Sequence, residues 1–290
     1  MRKQASTGSW IAAAIVVIVL VGAGVWLVRR AMQPELTSPP AAETATPASS
    51  RSAAAAPIQH PIAQVQAAPA SASTAPLPAL DQSDDDVLAA LQRLAGDNEL
   101  SLLLVRPQII NRIVASIDAM PGRSLGGIMM PARPPKGAFV TGEMDGQTVI
   151  GDANAARYAP YMAIVEQVDP QALVAWYVHA YPLFQQAYEQ LGYPHGYFND
   201  RLIVVIDNLL AAPEPAAPPA LLPSKGQYVF ADPALEARSA GQRLLLRTGA
   251  ANEAKIKERL RTVRGLLVGQ HLQPATTGSA LHEQEPASGR

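Results

Sequence analysis

The sequence predicts a mainly α-helical protein: one helical domain with a small candidate β-hairpin, set behind an N-terminal transmembrane helix and a disordered Ala/Pro-rich tether. Three observations lead there. Apolar residues recur at three- and four-residue steps through most of residues 77–270, the spacing of one helix face. Residues 10–28 form a 19-residue run without a charge. Residues 31–76 are almost wholly Ala, Pro, Ser, Thr and Gln, a composition that buries too little apolar surface to fold.

At about 1.5 Å per residue the apolar run spans roughly 28 Å, the thickness of a bilayer's hydrocarbon core. It exceeds the roughly 7–15 apolar residues of a signal peptide, and no small-residue cleavage site follows Val28. Trp10 and Trp26 stand near its ends, where aromatic rings suit the membrane interface. Arg2 and Lys3 precede the run and Arg29 and Arg30 follow it, so flanking charge gives a tie for orientation. An Ala/Pro tether behind such an anchor is usual for bacterial periplasmic domains. Residues 1–9 are therefore expected in the cytoplasm and the domain in the periplasm, held at the inner membrane; a cytoplasm-facing regulator is the alternative. A coil of the tether's length reaches about 35–40 Å, and a fully extended one about 140 Å.

The remaining stretch, 77–270, is long enough to bury about 70% of its unfolded surface without a staple. The chain has no cysteine, which excludes disulfides, thiolate metal sites and a cysteine nucleophile. A net charge of -1 gives no case for nucleic acid.

Ser83 with Asp84, Asp85 and Asp86 reads as a helix start; Leu88, Leu91 and Leu94 give its buried face, and Gly96 its end. No glycine follows the aspartates at loop spacing, so capping is preferred to metal binding. Pro107 suits the first turn of a helix carrying the stripe Ile109, Ile110, Ile113, Val114 and Ile117, stopped by Pro121 and Gly122. Residues 138–150 alternate around Asp145 and Gly146, a two-residue hairpin turn, with 227–230 as a candidate third strand. Asp152 or Asn154 is a candidate cap for a helix with Tyr158, Tyr161, Ile164 and Val165. Asp169 followed by Pro170 opens the next, which reaches Leu191 through Pro182, a residue that implies a kink or two shorter helices. Tyr177, Tyr181, Phe184, Tyr188 and Leu191 share one face of it. Gly192 and Pro194 break the chain, and Asn199 or Asp200 caps an all-apolar core helix. After a Pro-rich loop, Asp232 and Pro233 start a short helix running to Arg247. A last helix spans residues 252–268, with Ile256, Leu260, Val263 and Leu267 on one face. Residues 271–290 are expected to be a disordered tail.

Enzyme signatures are missing: there is no phosphate loop, nucleophile elbow or helical histidine pair, and no metal or cofactor is expected. The segment with most chemistry is Tyr193, His195, Tyr197, Asn199, Asp200 and Arg201. It is a candidate partner-binding turn; in a hydrolase His195 would act as acid or base with Asp200 orienting it. Capping by Asp200, pairing by Arg201 and packing by the tyrosines account for the same residues structurally. The tyrosine stripe is either a groove for a glycan or peptide or, more simply, core. Lys255, Lys257, Arg259, Arg261 and Arg264 form a candidate basic surface for anionic lipid or an acidic partner, unless the acidic residues 81–99 neutralise them.

Asp169-Pro170-Gln171-Ala172-Leu173-Val174, Leu191-Gly192-Tyr193-Pro194, Phe198-Asn199-Asp200-Arg201-Leu202-Ile203 and Phe230-Ala231-Asp232-Pro233-Ala234-Leu235 resemble a bacterial group, domain-of-unknown-function family 3014. The likeness covers most of residues 77–270 and includes the anchor and tether. It implies an envelope protein and transfers no catalytic residue. The expectation is a single-pass membrane protein that binds an envelope protein partner as a scaffold or accessory factor.

Overall fold

The computed structural model describes residues 57–65, 76–96, 99–125, 130–224 and 226–269. The expected membrane helix, most of the tether and the C-terminal tail lie outside them. Among the described residues no helix is long and apolar enough to cross a membrane.

The helices are α1 (Asp84–Ala95), α2 (Glu99–Leu103), α3 (Ile109–Ala119), α4 (Ala153–Arg157), α5 (Ala159–Gln167), α6 (Pro170–Gln190), α7 (Phe198–Leu210), α8 (Pro233–Glu236), α9 (Ala240–Thr248) and α10 (Ala250–Leu267). Two antiparallel hairpins, β1 (Thr141–Met144) with β2 (Gln147–Ile150) and β3 (Leu221–Ser224) with β4 (Gln227–Phe230), complete the mainly helical fold. The centre is α6, which packs against α1, α3, α7 and α10. Its tyrosine stripe is core rather than groove: Tyr177, Tyr181, Phe184 and Tyr188 are buried, and only Leu191 at its end is exposed. The isoleucine stripe of α3 is fully buried against it. Val204 is exposed while Leu202, Ile203, Val205 and Ile206 are buried, so the apolar run of α7 is not buried all round.

Local signals hold where the residues act on their own neighbours. Asp169 Oδ1 accepts the Gln171 N–H (2.9 Å) ahead of Pro170. Pro182, by contrast, does not divide the chain into two shorter helices: α6 is one helix from Pro170 to Gln190. Asp145 and Gly146 both take positive φ, as a tight hairpin turn requires. Gly96 ends α1 in the left-handed conformation.

Other expectations are corrected, each because a more distant group competes. Ser83 donates to Leu80 O instead of capping α1 (2.8 Å), and Asp84 reaches across to accept the N–H groups of Gln108 (2.7 Å) and Ile109 (2.8 Å) at the start of α3. Pro107 lies before α3, not in it, and follows a cis peptide bond. The helix expected from Asp152 is split at Tyr158, ahead of Pro160, and the Asn154 side chain turns inward to accept the Val140 N–H (3.0 Å). The candidate third strand, 227–230, pairs in the second hairpin instead; the two hairpins touch through the Val149–Ala220 bridge and enclose a small core of Ile150, Leu221, Phe230 and Leu246. The helix expected from Asp232 to Arg247 is two helices, because Ser239 caps α9 (Ser239 Oγ to Gln242 N, 3.2 Å).

At that junction Gly241 N donates to Met120 O (2.9 Å), and a Cβ on Gly241 would lie 2.7 Å from Leu209 Cδ2 and 3.1 Å from Met120 Cβ. Gly241→Ala is expected to destabilise the domain by about 1–3 kcal/mol through overpacking. A urea midpoint at or above that of the unaltered chain would show that α9 has room to shift.

Candidate functional site

Residues 193–201 join the end of α6 to the start of α7, and a residue that the sequence did not single out shapes the junction. Gln185, one turn from the end of α6, accepts the Phe198 N–H (2.9 Å) and the Tyr181 hydroxyl (2.9 Å) through Oε1, and donates to Gly196 O (2.8 Å). It does the work expected of Asn199 or Asp200, neither of which caps α7. Phe198 stacks on Phe184 at 5.8 Å and fixes the first turn in the core.

Around this turn the named residues divide into two groups. Tyr193 and Arg201 face α3: Tyr193 Oη donates to Asp118 Oδ2 (3.1 Å), and Arg201 Nε pairs with Asp118 Oδ1 (2.7 Å). The charge of Asp118, with the hydrogen bond it accepts, raises the Tyr193 phenol above its usual value. Tyr188 and Tyr193 stack at 4.6 Å. This group ties the turn to α3.

Tyr197, Asn199 and Asp200 form the second group, and they hold a piece of the expected tether. Asp200 Oδ2 accepts the Gln59 N–H (3.0 Å) and Oδ1 the His60 N–H (2.7 Å). Asn199 Nδ2 donates to His60 O (2.8 Å), and the Tyr197 hydroxyl accepts the Ile62 N–H (2.7 Å). Asn199 is 0% exposed, and its Oδ1 accepts from Tyr177 Oη (3.3 Å), which orients the amide toward the segment. Burial pushes the phenols of Tyr177 and Tyr181 up, so both remain neutral hydroxyls in this network. Residues 62–64 make one 3-10 turn, and Ile62 and Val65 pack on the main core. Residues 57–65, read from composition as disordered tether, are thus docked on the domain. The signal was present: Ile58, Ile62 and Val65 are the only isoleucine and valine residues within 31–76.

His195 is exposed, and no hydrogen bond or ion pair joins it to Asp200. Asp200 is instead engaged through both oxygens by backbone donors, so the acid–base pair expected of a hydrolase is not assembled.

The candidate basic residues of α10 divide: Lys255 and Arg261 are exposed, Arg259 and Arg264 are half-buried, and Lys257 is withdrawn from the surface. Lys257 is 1% exposed: its Nζ donates to Ala212 O (2.6 Å) and Glu214 Oε1 (2.7 Å) and lies 3.0 Å from Glu253 Oε1. Lys255 pairs with Glu166, Arg264 with Asp207, and Arg259 donates to Glu166 O (2.8 Å). The neutralising carboxylates come from α5, α7 and the Pro-rich loop rather than from residues 81–99. Arg261 belongs to the same helix, and its charge helps to lower the Glu214 carboxyl, chiefly held down by the Lys257 hydrogen bond. A cavity of about 330 Å³ opens beside the first turn of α10, walled by Ile150, Pro218, Pro219, Leu246 and Ala251, and Glu253 lies at its edge. Among the described residues no cluster of His, Asp or Glu could hold a metal.

A family model described as "Protein of unknown function (DUF3014)" matches residues 109–264, from the first residue of α3 into the last turns of α10. The chain belongs to that family. The matched region of this DUF3014 protein contains α6, α7 and the docking side chains, whereas the docked segment 57–65 precedes it. No curated protein and no solved structure matches the chain.

Proposed function

We propose that the chain is a binding protein of the bacterial envelope, a scaffold or accessory factor anchored by residues 10–28, whose helical domain takes up a polypeptide segment at Tyr197, Asn199 and Asp200. The observation that carries this is the pairing of three side chains with backbone groups of residues about 140 positions earlier in the chain. A carboxylate placed across two successive N–H groups suits polypeptide capture, since charge-assisted bonds to backbone donors need no particular side chain from the ligand. The length of the uncharged run and the Ala/Pro composition behind it support anchoring and a periplasmic domain.

Amide hydrogen exchange on the full chain tests the docking. Gln59 and His60 are expected to be protected, and Asp200→Ala to speed their exchange about 10- to 100-fold, the loss of a charged hydrogen bond of about 1.5–3 kcal/mol, while α6 amides keep their protection. Free exchange at both positions in the unaltered chain would end the reading. For the location, alkaline phosphatase fused after Arg290 should be active; an inactive, stable fusion would put the domain in the cytoplasm.

A further inference from the structure

We propose that the Tyr197–Asn199–Asp200 site recognises a proline-directed motif, two free N–H groups followed by Pro-apolar-x-x-apolar, in a partner polypeptide, and that residues 59–65 are its resident competitor. The proposal rests on the reading of this site as a polypeptide receptor.

The motif follows from which atoms are used. The N–H groups of residues 59, 60 and 62 are all taken, by Asp200, Asp200 and Tyr197. Between them, residue 61 is not called on for a donor, and it is proline, which has no N–H, with φ -60° and ψ 134°. Proline supplies that extended geometry already fixed, and it biases the residue before it, His60, away from the helical region, where its carbonyl would no longer face Asn199. Beyond it the chain turns through one 3-10 step, which places residues three apart on one side. Those residues are Ile62 and Val65, the two that pack on the core, while Ala63 and Gln64 point to solvent. Ile58 and Gln59 are exposed too, so the site reads the apolar side chains at 62 and 65 and the backbone at 59, 60 and 62, while proline at 61 sets the backbone course. The Gln64 carbonyl lies beside Gly269, just past α10, where a Cβ would come within 3.0 Å of it; a ligand residue at this position has backbone clearance only because 269 is glycine.

Among the described residues, the four hydrogen bonds between the domain and the segment join side chains of α7 or its flanking turn to segment backbone. A second polypeptide of the same pattern can therefore replace residues 59–65 atom for atom. Covalent attachment gives the resident segment an effective concentration on the order of mM, so a partner must compete for entry.

The test uses the full chain in detergent micelles and a fluorescein-labelled peptide of residues 57–66, read by fluorescence polarisation. In the chain carrying Ile62→Asp and Val65→Asp, which opens the site without altering it, the peptide is expected to bind at least tenfold more tightly than in the unaltered chain. Adding Asp200→Ala to the opened chain should weaken binding at least tenfold. Peptides carrying Pro61→Ala, or Ile62→Asp with Val65→Asp, should bind the opened chain less well, the second at least tenfold less. If no peptide binds an opened chain that keeps its helical circular dichroism and melting temperature, the receptor reading itself falls. If the substituted peptides bind as tightly as the parent, the motif is overturned while the receptor reading stands. Equal affinity for the opened and unaltered chains would remove the resident-competitor claim.

Discussion

Lys257→Met is expected to cost the domain about 3–5 kcal/mol, the range for breaking one partner out of a buried ion pair. Lys257 and Glu253 are 1% and 2% exposed, and the ammonium directs its hydrogens to Ala212 O and Glu214 while its charge offsets that of Glu253 3.0 Å away. Met fills a similar volume but leaves a carboxyl in apolar surroundings and a carbonyl without a donor. Burial already pushes the Glu253 carboxyl up, against the lowering effect of Lys257. Without the lysine that opposition is gone. A carboxyl whose folded pKa is raised keeps its proton in the folded state above the unfolded value of about 4.3, so the unfolded state binds fewer protons and stability falls as pH rises. The deficit of Lys257→Met should accordingly be larger at pH 8 than at pH 5. The double variant Glu253→Gln with Lys257→Met should be more stable than Lys257→Met alone, since it removes the stranded charge. Urea unfolding at the two pH values measures all of this; a deficit under about 1 kcal/mol, unchanged by pH, would mean that water or another donor reaches Glu253.

The same lysine shows where sequence reading stops. Charge on a helix is visible in the sequence, but the side it faces depends on what packs there. Lys257 neighbours Ile256 and stands three residues before Leu260, at the margin of the apolar stripe, and the Pro-rich loop with Glu214 closes over that margin. The Glu253–Lys257 spacing of four was the available hint. What was legible acted within a few residues: the Asp169–Pro170 start, the Asp145–Gly146 turn, the α3 stripe, the tyrosine face of α6. What was not legible is capping from afar, where Gln185 serves α7 and Asp84 serves α3, because equal local candidates stood at Asn199, Asp200 and Ser83. Of the six residues that the sequence groups in this turn, Tyr197, Asn199 and Asp200 touch residues 59–62, whereas Tyr193 and Arg201 bind Asp118. Asp200 was credited with a cap or with orienting His195, and it holds the backbone of residues 59 and 60, a contact no local pattern encodes.

Phe184→Ala is expected to remove about 3–5 kcal/mol, the cost of deleting a buried ring and leaving a cavity, and Phe184→Leu a smaller amount, about 1–2 kcal/mol, since it keeps most of the volume. Phe184 lies where the aromatic residues of α6 and α7 meet, with Trp176 at 5.8 Å, Tyr177 at 5.2 Å and Phe198 at 5.8 Å. The lost ring therefore does more than lower global stability. Phe198 is the first residue of α7, and its ring loses the surface on which it stacks, so the turn carrying Asn199 and Asp200 loses its inner support while Gln185 still holds its N–H. In Phe184→Ala the docked segment should loosen beyond the global effect: the amides of Gln59, His60 and Ile62 should gain exchange rate at denaturant concentrations where α3 amides remain protected. Phe184→Leu, by contrast, should leave those amides near their original rates, because a branched side chain still meets the Phe198 ring. Equal loosening of residues 59–62 and of α3 in the alanine variant would mean that the segment opens only when the whole domain unfolds, and that the aromatic junction stabilises the fold without positioning the site.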